Sequence, residues 1–236
     1  MNKVDILIPC YNEDKNVSKL VSSWRKVVEN NNNFYVYFID NGSTDSTYQN
    51  LQSELDYPKS QNLNLIQVSH NTGYGAGIQQ GFKETNHEIV CWTHADLQIP
   101  VDDVVNVIKK YVKNEYRVDY IYKGERINRN LLDSLFTKLM SIAGFLITGY
   151  FIHDINAQPK VFSRENVLDF ESYPKNFAID AHILQSHIKA KKKIKSIKTT
   201  FKDRVENDPK GGGSLLGKIK LSFETLKYFI SQRKNK

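Results

Sequence analysis

Four short apolar runs, each followed by a polar loop and then an amphipathic segment, constrain this chain more than any other feature. The runs cover residues 4–8, 34–39, 63–68 and 88–92. Residues 14–29 carry Val17, Leu20, Val21, Trp24, Val27 and Val28 at helical spacing. A second helix is expected after Ser43 or Thr44, natural N-caps, with Tyr48, Leu51 and Leu55 inward. Residues 78–83 and 101–112 read as helices too, the latter burying Val104, Val105 and Ile108. Strands this apolar, alternating with helices, make a mostly parallel central sheet covered on both faces, an α/β fold. Ligands of such sheets bind beyond the carboxyl ends of the strands, and each polar motif falls at such an end.

The first loop reads Pro9-Cys10-Tyr11-Asn12-Glu13 and the second Asp40-Asn41-Gly42-Ser43-Thr44-Asp45. Asp40 can accept hydrogen bonds from a nucleobase edge, and Tyr11 can stack on its ring. The third loop, Asn71-Thr72-Gly73-Tyr74-Gly75-Ala76-Gly77, has glycines that let backbone N–H groups and a helix N-terminus approach ribose or phosphate. Their spacing is wrong for a dinucleotide G-x-G-x-x-G fingerprint. The fourth loop offers His94, Asp96 and Gln98 at alternate positions, then Pro100, which has no N–H to continue pairing. Imidazole, carboxylate and amide oxygen on one side suit a divalent cation shared with a bound phosphate. Taken singly, each loop is also a good turn or helix cap; their order along the chain is what carries the reading.

Charge and composition narrow the class. The net charge is +7, with Lys189, Lys191, Lys192, Lys193, Lys195 and Lys198 crowded together and Arg233, Lys234 and Lys236 near the end. No nucleic-acid recognition motif accompanies them, so the basic segment is a solvated face or one attracted to anionic lipid or phosphate. Two cysteines, Cys10 and Cys91, do not make a disulfide framework, and the N-terminus lacks signal-peptide features. A cytoplasmic setting is therefore expected. The longest uncharged apolar stretch, residues 139–152, is shorter than the about 20 residues a bilayer span needs. The helix expected over 131–147 is apolar nearly all round, so it is buried or meets a membrane or another copy of the chain.

Residues 4 to about 214 resemble the family 2 glycosyltransferases of the GT-A fold, in the style of the dolichyl- and undecaprenyl-phosphate sugar transferases. The resemblance rests on the four loops, above all on Asp96-Leu97-Gln98. It implies a nucleoside-diphosphate sugar held by Pro9, Tyr11, Asn12 and Glu13, by Asp40, Asn41, Gly42 and Ser43, and by Asn71, Gly73, Gly75 and Ala95. It implies a Mg²⁺ or Mn²⁺ ion on Asp96, Gln98 and His94. Two positions depart from the family pattern: Asn41 stands where a second aspartate is usual, and His94 replaces the first acid of the metal loop. A histidine ligand favours softer ions such as Mn²⁺.

The second half is expected to hold the acceptor. Gly124-Glu125-Arg126, after a strand at residues 120–122, matches a motif that contacts an acceptor phosphate, and Arg129 is nearby. The resemblance places Asp154-Ile155-Asn156-Ala157-Gln158-Pro159-Lys160 along the acceptor pocket and Asp180 where a general base stands. Asp96, Asp180 and Arg126 are the expected catalytic residues. Arg204 and the glycines at 211–213 match a terminal basic loop that can close over the diphosphate, and residues 215–229 form a last amphipathic helix. The expected organisation is one domain over 1–214 (donor half 1–115, acceptor half 116–214) and a helical, basic tail over 215–236. The implied reaction is inverting transfer to a polyprenyl phosphate. The alternatives are transfer to a saccharide hydroxyl with Asp180 as base, or nucleotide-sugar binding without catalysis. A sugar nucleotidyltransferase is disfavoured, because residues 9–13 contain no glycine.

Overall fold

The computed structural model of the chain describes residues 2–115, 117–128, 131–202 and 215–234. In chain order the elements are β1 (Val4–Cys10), α1 (Val17–Glu29), β2 (Phe34–Asn41), α2 (Thr47–Asp56), β3 (Leu63–Val68), α3 (Tyr74–Glu84), β4 (Ile89–Trp92) and α4 (Val101–Val112). There follow β5 (Tyr120–Ile127), α5 (Leu131–Thr148), β6 (Lys160–Ser163), α6 (Ile179–Lys189), β7 (Lys193–Thr200) and α7 (Leu215–Lys234). The seven strands form one sheet in the order β3-β2-β1-β4-β6-β5-β7. All neighbours are parallel except that β6 runs against both β4 and β5. Chain order reverses direction across the sheet at β1, which lies between β2 and β4, and this opens the crevice where ligands of such sheets bind.

The sheet is buried on both faces. Trp24, Phe38, Tyr111 and Tyr122 pack on one side, and Trp92, Phe162, Ile179 and Phe229 on the other. Helix α1 buries all six of its stripe residues, from Val17 to Val28, although Asn16 makes no side-chain cap bond at its start. Packing prevails here, since each buried aliphatic contributes roughly 1.5–3 kcal/mol and a cap about 1. At the far end of the sheet from the site, the buried Asp5 accepts hydrogen bonds from the His87 N–H (2.8 Å) and from Arg164 (3.0 Å), tying β1 to the entry of β4 and the exit of β6.

Several boundaries differ from the expected ones, each for a local reason. Helix α2 begins at Thr47 rather than just after Ser43 or Thr44, because both of those residues are engaged with Asn12. Helix α3 begins at Tyr74, inside the glycine loop, rather than at residue 78. Strand β5 runs through Gly124-Glu125-Arg126, so this motif lies in the sheet and not after it. The lysine-rich stretch is the edge strand β7, paired to β5 from Tyr120↔Lys193 to Ile127↔Thr200. Exposed lysines are a common way to keep an edge strand from pairing with another chain.

Helix α5 is an outer helix. Leu131, Leu135, Leu139, Ile142, Phe145 and Leu146 are exposed, while Ser141 and Gly144 are buried. Helix α7 docks on it: a side chain at Gly144 would come within 2.9 Å of the Phe229 ring. The Tyr228 hydroxyl bonds Gln185 (3.1 Å) and His182 (3.0 Å) of α6. No helix of the described residues is long and apolar enough to cross a membrane.

Candidate active site

The loops after β1 and β2 are fastened to each other. The Asn12 N–H donates to Ser43 Oγ (3.0 Å), the Thr44 N–H to Asn12 Oδ1 (2.8 Å), and the Glu13 N–H to Thr47 Oγ1 (2.7 Å). Asn12 adopts φ +53°, which this pairing holds in place. Pro9 and Cys10 lie inside β1, opposite Ile39 and Asp40. Asp40 is buried and accepts from the Ser43 N–H at 3.3 Å, whereas Tyr11 remains exposed beside it. The two loops thus form one rim carrying an inward carboxylate and an outward aromatic ring. Both cysteines are buried free thiols, and burial pushes each well above its ordinary pKa.

Asn41 turns away from this rim. It is 2 % exposed, and its Nδ2 donates to the Gly73 carbonyl at 3.0 Å. Gly42 backs onto His70 and Asn71, and Asn71 Oδ1 accepts from the Gly73 N–H at 2.9 Å. Asn41 therefore ties the second loop to the third. At Gly73 (φ +126°) and Gly75, a side chain would strike the backbone of Lys175 or Pro174 at 2.3 and 2.2 Å, and the Ala76 N–H is taken by the Lys175 carbonyl. These glycines admit the chain before α6 rather than leaving open space. Replacing Asn41 by aspartate restores the family pattern but sets a carboxylate against the Gly73 carbonyl. The lost bond and repulsion cost about 1–3 kcal/mol, against at most about 1 from the helix N-terminus. Asn41→Asp is thus expected to lower stability by about 1–2 kcal/mol in urea unfolding.

The fourth loop brings His94, Ala95, Asp96 and Gln98 to the end of β4. Asp96 is 7 % exposed, and its Oδ1 accepts from the Gln98 N–H at 3.1 Å, a short turn with Leu97 at φ +55°. Ala95 is buried behind it. His94 meets the Tyr74 ring edge-on (centroids 5.3 Å apart), and its Nε2 is buried without a hydrogen-bond partner. Burial pushes its pKa below the ordinary value against the pull of Asp96 and Asp180, so the imidazole is neutral and fit to ligate. The Gln98 side chain points its amide nitrogen at the Lys202 carbonyl (3.2 Å), and the Lys202 N–H returns a bond to the Gln98 carbonyl (2.8 Å). Gln98 thus clamps this loop to the end of β7. Among the described residues no three His, Cys, Asp or Glu side chains converge on a metal position.

In the half expected to hold the acceptor, Arg126 does not stand open. Its Nε and Nη2 grip the Asp154 carboxylate, its backbone N–H adds a third bond to it (2.9 Å), and the guanidinium lies 5.3 Å from the Phe201 ring centroid. Burial pushes the Asp154 carboxyl up, but Arg126 and Lys123 hold it well below the usual carboxylate range. Gly124 is needed under this pair, since a Cβ there would sit 1.9 Å from the Gln158 carbonyl oxygen. Lys123 is buried with its ammonium on the Gly124 and Asp154 carbonyls, and burial lowers its pKa to about 7.

Asp180 opens α6 as expected, yet its surroundings are unsuited to a general base. It is fully buried, with Lys160 Nζ 3.2 Å away, and accepts bonds from Trp92 Nε1 (3.0 Å) and Gln158 Nε2 (2.9 Å). The carboxylate is closed off from solvent and already bonded to three donor groups, so it does not stand open to an acceptor's proton. The motifs set Lys160 along the acceptor pocket and Tyr74 in the third loop but give neither side chain a role. The available signal was a lysine opening an otherwise apolar strand next to Gln158-Pro159. Arg129, Arg204 and the glycines at 211–213 lie outside the described residues.

Residues 5–166, more than half of the chain, match the family model described as Glycosyl transferase family 2. A putative glycosyltransferase CsbB of Bacillus subtilis is 33% identical over 143 residues, covering 59% of this chain and 43% of that protein. A dolichyl-phosphate beta-glucosyltransferase of Trichomonas vaginalis is 24% identical over 252 residues, covering 98% and 74%. An undecaprenyl-phosphate 4-deoxy-4-formamido-L-arabinose transferase of Photorhabdus laumondii is 26% identical over 142 residues, covering 60% and 42%. The chain thus spans less than half the length of two of these three curated relatives. Among solved structures, glucosyl-3-phosphoglycerate synthase of Mycobacterium tuberculosis with Mn²⁺, uridine diphosphate and glucosyl-3-phosphoglycerate superposes with a TM-score of 0.71 at 15% identity, covering 99% of this chain and 80% of that one. The mannosyltransferase PcManGT of Pyrobaculum calidifontis, with GDP-mannose and Mn²⁺, gives 0.66 at 17%, covering 89% and 58%. These likenesses establish the GT-A fold.

Proposed function

Because the chain belongs to glycosyl transferase family 2, we propose that it moves a sugar, with inversion, from a nucleoside-diphosphate sugar to a polyprenyl phosphate. The donor reading is supported by the rim that joins Tyr11, Asn12, Asp40 and Ser43 at the carboxyl ends of β1 and β2, next to Asp96 at the end of β4. Tyr11 is the ring available to stack on the base, and Asp40 the acceptor for its edge. His94 Nε2, buried and unpartnered, and Asp96 form a donor pair that suits Mn²⁺ or Mg²⁺. Once bound, such an ion supplies positive charge to the departing diphosphate.

The single observation that favours a lipid phosphate over a saccharide hydroxyl is the state of Asp180. A hydroxyl must lose its proton as it attacks, whereas a phosphate monoester is already anionic. Asp180 is fully buried and held by Lys160, Trp92 and Gln158, so its carboxylate does not face an acceptor hydroxyl. The exposed leucines of α5, on the acceptor side, suit a polyprenyl chain and a peripheral stay at a membrane surface. The deciding experiment offers radiolabelled nucleoside-diphosphate sugars, with Mn²⁺ and then Mg²⁺, to the protein with undecaprenyl phosphate or with a saccharide acceptor. Label is expected in the lipid fraction. Label on the saccharide alone defeats the lipid reading, and nucleotide binding without turnover on either acceptor defeats the enzymatic one.

A further inference from the structure

We propose that Tyr74 is a further catalytic residue, whose hydroxyl donates a hydrogen bond to a phosphate oxygen of a bound substrate. This inference rests on the donor and acceptor reading above and gives a role to a residue of the third loop beyond Asn71 and the glycines. Lys160 Nζ and Trp92 Nε1 can only donate, and both meet Asp180 Oδ1, at 3.2 and 3.0 Å. A carboxylate offers only acceptor oxygens to its neighbours.

Gln158 comes next. Its side-chain amide lies within 3.1 and 2.9 Å of the two Asp180 oxygens, so it must face them with its nitrogen. Its Oε1 is then left buried with no partner, a cost of about 1–3 kcal/mol. The amide is therefore turned by Asp180 and not by its own needs. The same nitrogen lies 3.2 Å from the Tyr74 hydroxyl, which must accept. The Tyr74 proton is consequently directed away from Gln158. Among the described residues, the bond it accepts from Gln158 is the one hydrogen bond this hydroxyl makes.

The ring is as firmly placed as the hydroxyl. It stacks on Phe177 (4.7 Å, 9°) and meets His94 edge-on (5.3 Å, 82°), between the metal loop and the start of α6. A tyrosine phenol carries its proton near neutral pH. A half-buried phenol of fixed polarity, at the junction of donor and acceptor loops, suits an anionic oxygen as its partner. Asp180, Lys160 and Gln158 are positioning residues for it.

The test compares the full chain with its Tyr74→Phe variant. Phenylalanine keeps both ring contacts, and Gln158 Nε2 retains Asp180, so the folding midpoint is expected to stay within a few degrees. UDP and GDP, each with Mn²⁺, are titrated calorimetrically, and transfer to a short-chain polyprenyl phosphate is then measured at steady state. If the oxygen belongs to the donor diphosphate, nucleotide affinity or kcat falls by about ten- to a hundredfold. If it belongs to the lipid phosphate, nucleotide affinity is unchanged and KM for the lipid rises by a similar factor. Equal affinity, KM and kcat in the two proteins, or a lowered midpoint with unchanged binding and turnover, overturns the assignment. Wild-type protein that binds neither diphosphate refutes instead the donor reading beneath it.

Discussion

Replacing Asp96 by asparagine is expected to lower sugar transfer by about 10²–10³-fold, the loss typical when one group stabilising a departing anion is removed. The substitution isolates charge from shape. Asparagine keeps the Oδ1 that accepts from the Gln98 N–H, so the turn at Leu97 and the clamp on Lys202 survive. What disappears is the negative charge beside His94 that would hold a divalent ion. Metal dependence gives the second readout: a chelator should bring the wild-type rate down to near that of the variant and leave the variant almost unaffected. A variant that keeps both its rate and its response to Mn²⁺ would remove Asp96 from the centre of this site. Asp96→Ala is a poorer test, because it abolishes the turn together with the charge.

The Lys160–Asp180 pair should dominate stability in the half expected to hold the acceptor. Lys160→Met leaves a buried carboxylate with Trp92 and Gln158 but no countercharge. Asp180→Asn leaves a buried ammonium with only neutral acceptors, the new amide oxygen and the Ala157 carbonyl, and no countercharge. Either single change is expected to cost about 3–5 kcal/mol in denaturant unfolding. Burial lowers the Lys160 pKa although Asp180 opposes it, so losing the carboxylate pushes that lysine further towards its neutral form and trims the second penalty. The double variant, Asp180→Asn with Lys160→Met, should lose much less than the sum of the two, since no uncompensated charge remains. Strictly additive losses would mean that the two groups act independently, and the buried pair would then not be what holds β6 to α6.

The strands and loops of the first half were legible in the sequence because their logic is local. An apolar run that stops at Asp40 or Asp96 marks both a strand and the rim where that strand ends, and the structure keeps both carboxylates buried there. Direction of facing was harder to read. Asn41, next to Asp40, points the other way because a strand alternates its faces, and its partner Gly73 is supplied by a loop 32 residues distant. Strand β7 was hidden because Lys193, Lys195 and Lys198 mask Ile194 and Ile197 in a stretch that reads as a charged surface. Asp180 was placed at the start of a helix, but its partners were not legible. Its role depends on Lys160 and Trp92, which stand opposite each other in the β4–β6 pairing, a register no single segment specifies.

The reversed strand β6 has a further consequence. Because β5 leaves the sheet at the same rim where β6 enters it, and Lys123 pairs with Lys160, residues 128–159 form a long excursion between two adjacent, hydrogen-bonded neighbours. Its two stems are held together whatever lies between them, and lengthening such a loop costs little, about 0.6 kcal/mol per doubling. Asp154 and Gln158 at the returning end are fixed by Arg126 and Asp180, whereas the outer part carrying α5 can change length with the strand pairing intact. Helix α5 is thus a cassette on a fixed socket.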